Sequence, residues 1–270
     1  SQPNAMPDTR DRRSSGVMIL GGFALALTAG CSAPSLRLTP RVGFVDLGGD
    51  FAASPSTDVS GSSSVEALGL DDTETEFIPR ADFEFGPFLW TVDYGNLSFS
   101  GQGTAEATID FGGINVAAGQ DVESDIDLTL YRSTFTWDVI PTDTFDLGLG
   151  FGIGGAEVSA TVADTLGNSA TTDEIIPLPY AAASTTVEIG DFGVEGLAGV
   201  FAIEVDDVDV FYLDLDVNAY YQFLDMAGAG TRIVAGWRYI DVDAAYDDGD
   251  EQIDADLNFS GPYVGLTVVL

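Results

Sequence analysis

Every second residue of "FYLDLDVNAYYQF" (211–223) is apolar. Phe211, Leu213, Leu215, Val217, Ala219, Tyr221 and Phe223 form one row, and Tyr212, Asp214, Asp216, Asn218, Tyr220 and Gln222 form the other. Strict period two makes the stretch a strand with one greasy face and one polar face. In a soluble sandwich the greasy face turns inward; in a membrane barrel it turns outward to lipid and the polar face lines the lumen. Its 13 residues exceed the usual soluble strand of about five or six and suffice to cross a bilayer at a tilt.

Comparable patterns fill nearly the whole chain. Strands are expected near 36–50, 74–86, 88–110, 114–139, 143–162, 173–189, 191–204, 207–224, 230–246 and 252–270. That makes about ten, an even number of the kind single-chain bacterial barrels use. The links between them alternate in length. "GP" (86–87), "IPTDT" (140–144), "GD" (190–191) and "DMAGAG" (225–230) are tight turns. The remaining links are polar and longer, including 52–75, the hairpin tipped by Gly112 and Gly113, 164–174, and the acidic 204–209 and 246–252. Loops sorted by length onto two ends are the pattern of an outer-membrane barrel, and a sandwich has no cause to produce it. Phe85, Phe88, Trp90, Trp137, Phe145, Phe192, Tyr221 and Phe223 all lie close to the short turns. Rings gathered at one level suit an interfacial girdle, the alternative being the aromatic corners of a sandwich core.

The polar faces predict what the lumen contains. Arg37, Thr39 and Arg41 oppose Leu38, Val42 and Phe44; Arg80, Asp82 and Glu84 oppose Ala81, Phe83 and Phe85. Asp146 shares a face with Gly148, Gly150, Gly152 and Gly154, a row that leaves room for long side chains from neighbouring strands. Arg232, Gly236 and Arg238 oppose Ile233, Ala235, Trp237 and Tyr239. The 114–139 strand changes phase near Leu130, which points to a bulge or an exit from the membrane. Arg132 joins the polar face if Phe135 and Trp137 set the membrane phase. The strands at 173–189 and 191–204 are too rich in Ala and Gly to assign.

Charge sharpens the picture. The 270 residues carry 44 acidic side chains against 9 basic ones, for a net charge of −35, with no His. All basic residues are Arg, and the six beyond residue 13 all fall in expected strands. An Arg facing lipid at the midplane costs about 2 to 4 kcal/mol, so these should point inward and meet carboxylates. The expected lumen network is Arg37, Arg41, Arg80, Asp82, Glu84, Arg132, Asp146, Asp214, Asp216, Arg232 and Arg238. In a barrel of about ten strands such side chains can meet across the interior and plug it; the alternative is that they line a slim ion-selective path. So acidic a chain should repel nucleic acid and anionic lipid surfaces; outer-membrane lipid is the partner expected of the barrel's apolar outer face.

The first residues look like an export signal. Arg10, Arg12 and Arg13 precede the apolar "GVMILGGFALALTAG" (16–30), after which stands Cys31, the single cysteine. The expected division is a removed signal over 1–30 and a barrel over 31–270. "LTAGC" (27–31) resembles the lipobox of bacterial lipoproteins, although Thr28 stands where that motif most often has Leu. The resemblance implies lipidation of Cys31, and Ser32 beside it implies delivery to the outer membrane. An ordinary cleavage nearby, for instance after Ala33, is the alternative.

The absence of His narrows the chemistry. The omptin proteases, the outer-membrane phospholipase and the lipid A deacylases share the architecture but need a His, so no enzyme of that kind is expected. Transition metals lack ligands, and no cofactor is expected. Acidic loops 204–210 and 246–256 offer carboxylates for weak association with divalent cations but lack EF-hand spacing.

Three stretches carry a family resemblance: "VEALGLDDTETEFIPRADFEF" (65–85), "FGGINVAAGQDVESDIDLTLYRSTFTW" (111–137) and the ending 236–270. They are similar to the small, porin-like outer-membrane β-barrel proteins of Gram-negative bacteria. The resemblance implies an all-β, antiparallel, transmembrane up-and-down barrel in the outer membrane. Leu270 departs from the aromatic residue that often ends such barrels, and no functional residue carries over. A structural or loop-interacting barrel is the first expectation; a narrow channel and a lipid-tethered sandwich are the others.

Overall fold

The computed structural model describes residues 34–54, 63–70, 72–105, 109–111, 114–142, 144–164, 169–205, 208–226, 229–247 and 252–270. Residues 1–30, where an export signal is expected, Cys31 and parts of both acidic loops lie outside them. In chain order the strands are β1 (Ser35–Thr39), β2 (Arg41–Ser54), β3 (Ser63–Ser64), β4 (Glu74–Phe77), β5 (Arg80–Phe85), β6 (Phe88–Thr104), β7 (Ile109–Phe111) and β8 (Ile114–Val116). They continue with β9 (Asp121–Pro141), β10 (Phe145–Asp164), β11 (Ser169–Ile189), β12 (Phe192–Val205), β13 (Val208–Met226), β14 (Ala229–Asp247) and β15 (Gln252–Val269).

These close into an antiparallel barrel whose wall has ten strand positions. β1 with β2 fills one position and β4 with β5 the next. Both are interrupted at the same place because Pro40 and Pro79 lack the N–H a ladder needs. The wall survives there on the remaining bonds: Leu266 N donates to the Pro40 carbonyl and Tyr94 N to the Pro79 carbonyl, both at 3.3 Å. Closure is made by β15, which pairs with β2 and β1. A soluble sandwich is therefore excluded. Two expected strands are shorter than their patterns: β6 ends at Thr104 and β9 begins at Asp121, while β7 and β8 form a separate hairpin.

The outward rows are apolar and exposed. On β13 Val217 is 52% exposed, and on β10 Phe151 is 68% exposed. On β13 the row runs from Phe211 to Phe223, which at about 3.3 Å per residue and about 40° of tilt spans roughly 30 Å. Ring pairs gather at the short-turn end: Phe88 with Trp137 at 5.7 Å between centroids, Phe85 with Phe88 at 5.4 Å, and Phe192 with Tyr221 at 4.7 Å. A second level, not foreseen from the sequence, is marked by the Tyr94–Tyr131 pair at 5.5 Å. Two aromatic levels bounding an apolar belt are how a barrel meets its two membrane interfaces.

Above Tyr94 and Tyr131 the code of the wall reverses. Asn96 and Ser98 on β6 and Thr129 and Asp127 on β9 face out, while Leu97, Phe99, Leu128 and Val122 are buried inside. The phase change near Leu130 is this exit from the lipid. No bulge accompanies it, since β9 stays in register with β6 throughout; the shift on β9's other side lies opposite Leu147 and Gly148. Exposed or half-exposed acids ring the outer wall just beyond the belt: Asp46, Asp127, Glu157, Glu204, Asp209 and Asp241.

Candidate functional site: the charged layer of the lumen

The inward rows bring charges from distant wall positions together at mid-barrel. Asp214 and Asp216 of β13 are two residues apart, so both point inward, and both are fully buried. Arg132 reaches them from β9, four wall positions away, with Nη1 at 2.9 Å from Asp214 Oδ2 and Nη2 at 3.1 Å from Asp216 Oδ2. Arg41 of β2 lies across from β13 and places Nη1 at 2.8 Å from Asp216 Oδ2. Arg80 of β5 approaches the same oxygen at 3.7 Å while holding Asp82 at 2.9 Å. Arg238 of β14 bonds Asp214 at 2.9 Å and lies 3.3 Å from Asp93 of β6, and Arg132 holds Asp93 at 2.6 Å.

Hydroxyl groups complete this layer. Tyr212 donates to Asp214 Oδ2 at 3.1 Å, Thr91 donates to Asp82 at 2.7 Å, and Tyr263 donates to Asp216. Glycine makes room for these rings: a Cβ on Gly236 would lie 2.5 Å from the Tyr263 ring, and one on Gly152 would lie 2.2 Å from Tyr180. The glycine face of β10 thus receives a long side chain from its neighbour, as its sequence suggested. The Arg41 guanidinium also sits over the Tyr263 ring, 4.7 Å from its centroid.

A second, looser tier lies toward the short turns. Arg37 bonds Glu195 at 2.9 Å, and Arg232 lies 3.6 Å from Glu195 and 3.8 Å from Glu188 while covering the Tyr220 ring at 4.3 Å. Each Arg of the described residues has at least one carboxylate partner, and the pairs balance: six Arg against Asp82, Asp93, Asp214, Asp216, Glu188 and Glu195. Among the described residues, the outer wall therefore carries no basic side chain.

Two expected members stand apart from this network. Glu84 is exposed at the short-turn end, where Ser35 Oγ donates to it at 3.4 Å. Asp146 accepts the Thr142 backbone N–H at 3.1 Å and fixes the turn before β10. Sequence reasoning missed Asp93, Glu188 and Glu195, and the parts played by Tyr180, Tyr212, Tyr220 and Tyr263. Asp93 could have been found from Trp90, Val92 and Tyr94, which set the membrane phase of β6.

Above the charge layer the lumen is apolar, contrary to the polar interior expected throughout. Val45, Leu47, Leu97, Phe99, Val122, Leu128, Leu178, Ile240 and Phe259 line it, and a turn carrying Val65, Leu68 and Leu70 packs into it. A residual cavity of about 20 Å³, room for about one water, lies where Leu97, Leu130, Ile240 and Phe259 meet Glu76 and Arg238. No group of three or more metal-ligating side chains converges among the described residues.

No protein-family model matches the sequence, and no curated protein matches it. Among solved structures, the chain is similar to the outer membrane protease OmpT of Escherichia coli, at a TM-score of 0.51 and 10% identity over 87% of this chain and 97% of that one. It is also similar to the transport unit of the E. coli autotransporter AIDA-I, at a TM-score of 0.39 and 10% identity over 90% and 92% of the two chains. A third is the Ralstonia pickettii toluene transporter TbuX, at a TM-score of 0.35 and 9% identity over 87% and 88%. At such identity the first likeness shows the outer-membrane barrel fold and nothing about activity.

Proposed function

We propose that this barrel is a non-enzymatic outer-membrane protein of a Gram-negative bacterium with a lumen closed to solutes, which acts as an envelope component through its acidic outer rim and loops. The observation that carries this reading is the meeting of Arg41, Arg80, Arg132 and Arg238 on two adjacent buried aspartates. Opposed charges held at 2.6–3.7 Å across a narrow barrel support a shut aqueous path at that level, and the packed apolar turn lies above it. Weak screening by divalent cations at the acidic loops belongs to the same reading. Proteoliposomes carrying the purified protein should not swell in isotonic arabinose beyond protein-free vesicles. Swelling that scales with protein content would instead support the narrow channel.

The same reading takes residues 1–30 as a removed signal and Cys31 as the lipidated mature terminus. Its support is the lipobox-like "LTAGC" and the lack of any competing cysteine. Mass spectrometry of the mature protein should show an N-terminal Cys31 carrying acyl chains; an unmodified terminus at a later residue would contradict it.

A further inference from the structure

We propose that the apolar chamber above the charge layer binds a small uncharged molecule that has an apolar body and one hydrogen-bonding group, and that the turn Val65–Leu70 is a displaceable lid occupying its place. The core above the charge layer is not built from the wall's side chains alone. Here Val65 and Leu70 are among the most deeply buried residues, with Leu68 beside them, yet they belong to a segment outside the wall.

The lid has a dedicated seat. A Cβ on Gly101 would lie 1.8 Å from the Gly69 carbonyl oxygen, and one on Gly103 would lie 2.0 Å from that of Ala67. The inward row of β6 is therefore stripped to backbone where the lid lies. Gly69 itself holds a φ of +73° against Gln102. Two backbone bonds tie the lid to the rim, Val65 N to the Gly49 carbonyl at 3.0 Å and Thr104 N to the Ala67 carbonyl at 2.8 Å.

The ligand's chemistry follows from what the chamber offers. Its apolar cluster contains no charged residue. Tyr180 and Tyr212 turn their hydroxyls down to Thr134 and Asp214, so neither competes for a ligand. Ser124 faces in from β9 opposite Gly101, is 2% exposed, and its Oγ has no hydrogen-bond partner among the described residues. A hydroxyl left unpaired in an apolar enclosure is costly, and a ligand alcohol or carbonyl would satisfy it. A charged headgroup would meet a cation only at the chamber's floor, where Arg238 is already held by Asp93 and Asp214.

The inference goes beyond the closed-barrel reading, since solute passage tests the floor of the chamber and ligand binding tests its interior. The test is calorimetric titration of 1-octanol, and of octanoate as its charged counterpart, into the full-length protein in zwitterionic nanodiscs, with empty nanodiscs as the blank. Octanol should bind saturably and octanoate should not. Gly103→Val, which must unseat the lid, should tighten octanol binding about 10-fold by removing internal competition. Leu68→Ser should act in the same direction and substitutes if the first variant fails to assemble. Ser124→Ala should weaken binding about 5-fold, the loss of one neutral hydrogen bond. No saturable octanol binding in either the wild type or a folded lid variant would overturn the proposal, as would equal binding of octanoate.

Discussion

Replacing Asp216 with Ala destabilises the folded barrel by about 3 to 5 kcal/mol, the cost of stranding buried charge. Asp216 is 0% exposed and accepts from Arg41 and Arg132 at 2.8 and 3.1 Å, with Arg80 at 3.7 Å. Arg132 and Arg80 keep other partners in the variant, at Asp214 and Asp93 and at Asp82. Among the described residues, Arg41 keeps only the Ile78 carbonyl, 3.2 Å from its Nε, and the Tyr263 ring as close partners. The damage should therefore centre on Arg41, and adding Arg41→Met should recover part of the loss because the stranded cation is gone. Urea unfolding of the refolded protein in lipid vesicles measures both, as a double-mutant cycle. Equal stability of wild type and Asp216→Ala would mean that the charges are hydrated rather than locked together.

Val217→Arg costs about 2 to 4 kcal/mol and Phe211→Arg about 0 to 1, because an Arg on the lipid face is penalised by depth. Val217 lies in the middle of the outward row of β13, opposite Trp237 on β14 and Gly196 on β12. Phe211 lies at the upper edge, directly opposite Asp243, and an Arg there can reach the interface and an acidic neighbour. The same unfolding measurement on the two variants reads the difference. A protein whose outward face met water would tolerate both within about 0.5 kcal/mol, so the gap between them reports the lipid belt itself.

How much of this was legible in the sequence depends on which solvent each stretch of wall meets. β13 lies within the belt over most of its length, so one rule, apolar outward, governs Phe211 to Phe223, and its inward Asp214 and Asp216 could be read directly. β6 and β9 cross out of the belt. Below Tyr94 and Tyr131 their apolar residues face lipid, and above them the apolar residues face the interior, as in a soluble protein. A single period-two reading along either strand mixes two opposite rules, which hid Asp93 and made the phase change at Leu130 ambiguous. The chamber was hidden for the same reason, since its lining is the apolar row of the water-exposed half of the wall.

The charge partners were legible only as a class. Arg must point inward wherever lipid lies outside, and that physical constraint holds for each Arg of the described wall. Which carboxylate it meets depends on closure, which places β9 and β2 across from β13, and no local pattern encodes that. The turn Val65–Leu70 was hidden differently. Its "VEALGL" has no strand period, and it lies in a stretch whose Ser, Gly and Asp content marks a loop, so its burial is set by the seat at Gly101 and Gly103.

Single-channel recording in planar bilayers decides whether the charge layer shuts the lumen. The wild-type protein should give a flat baseline, while Arg132→Ala, which removes the side chain tying β9 to Asp214 and Asp216, should give at most brief, irregular openings. Steady, ion-selective steps from the wild type, shifted in selectivity by Arg238→Gln, would contradict the closed barrel and establish a pore.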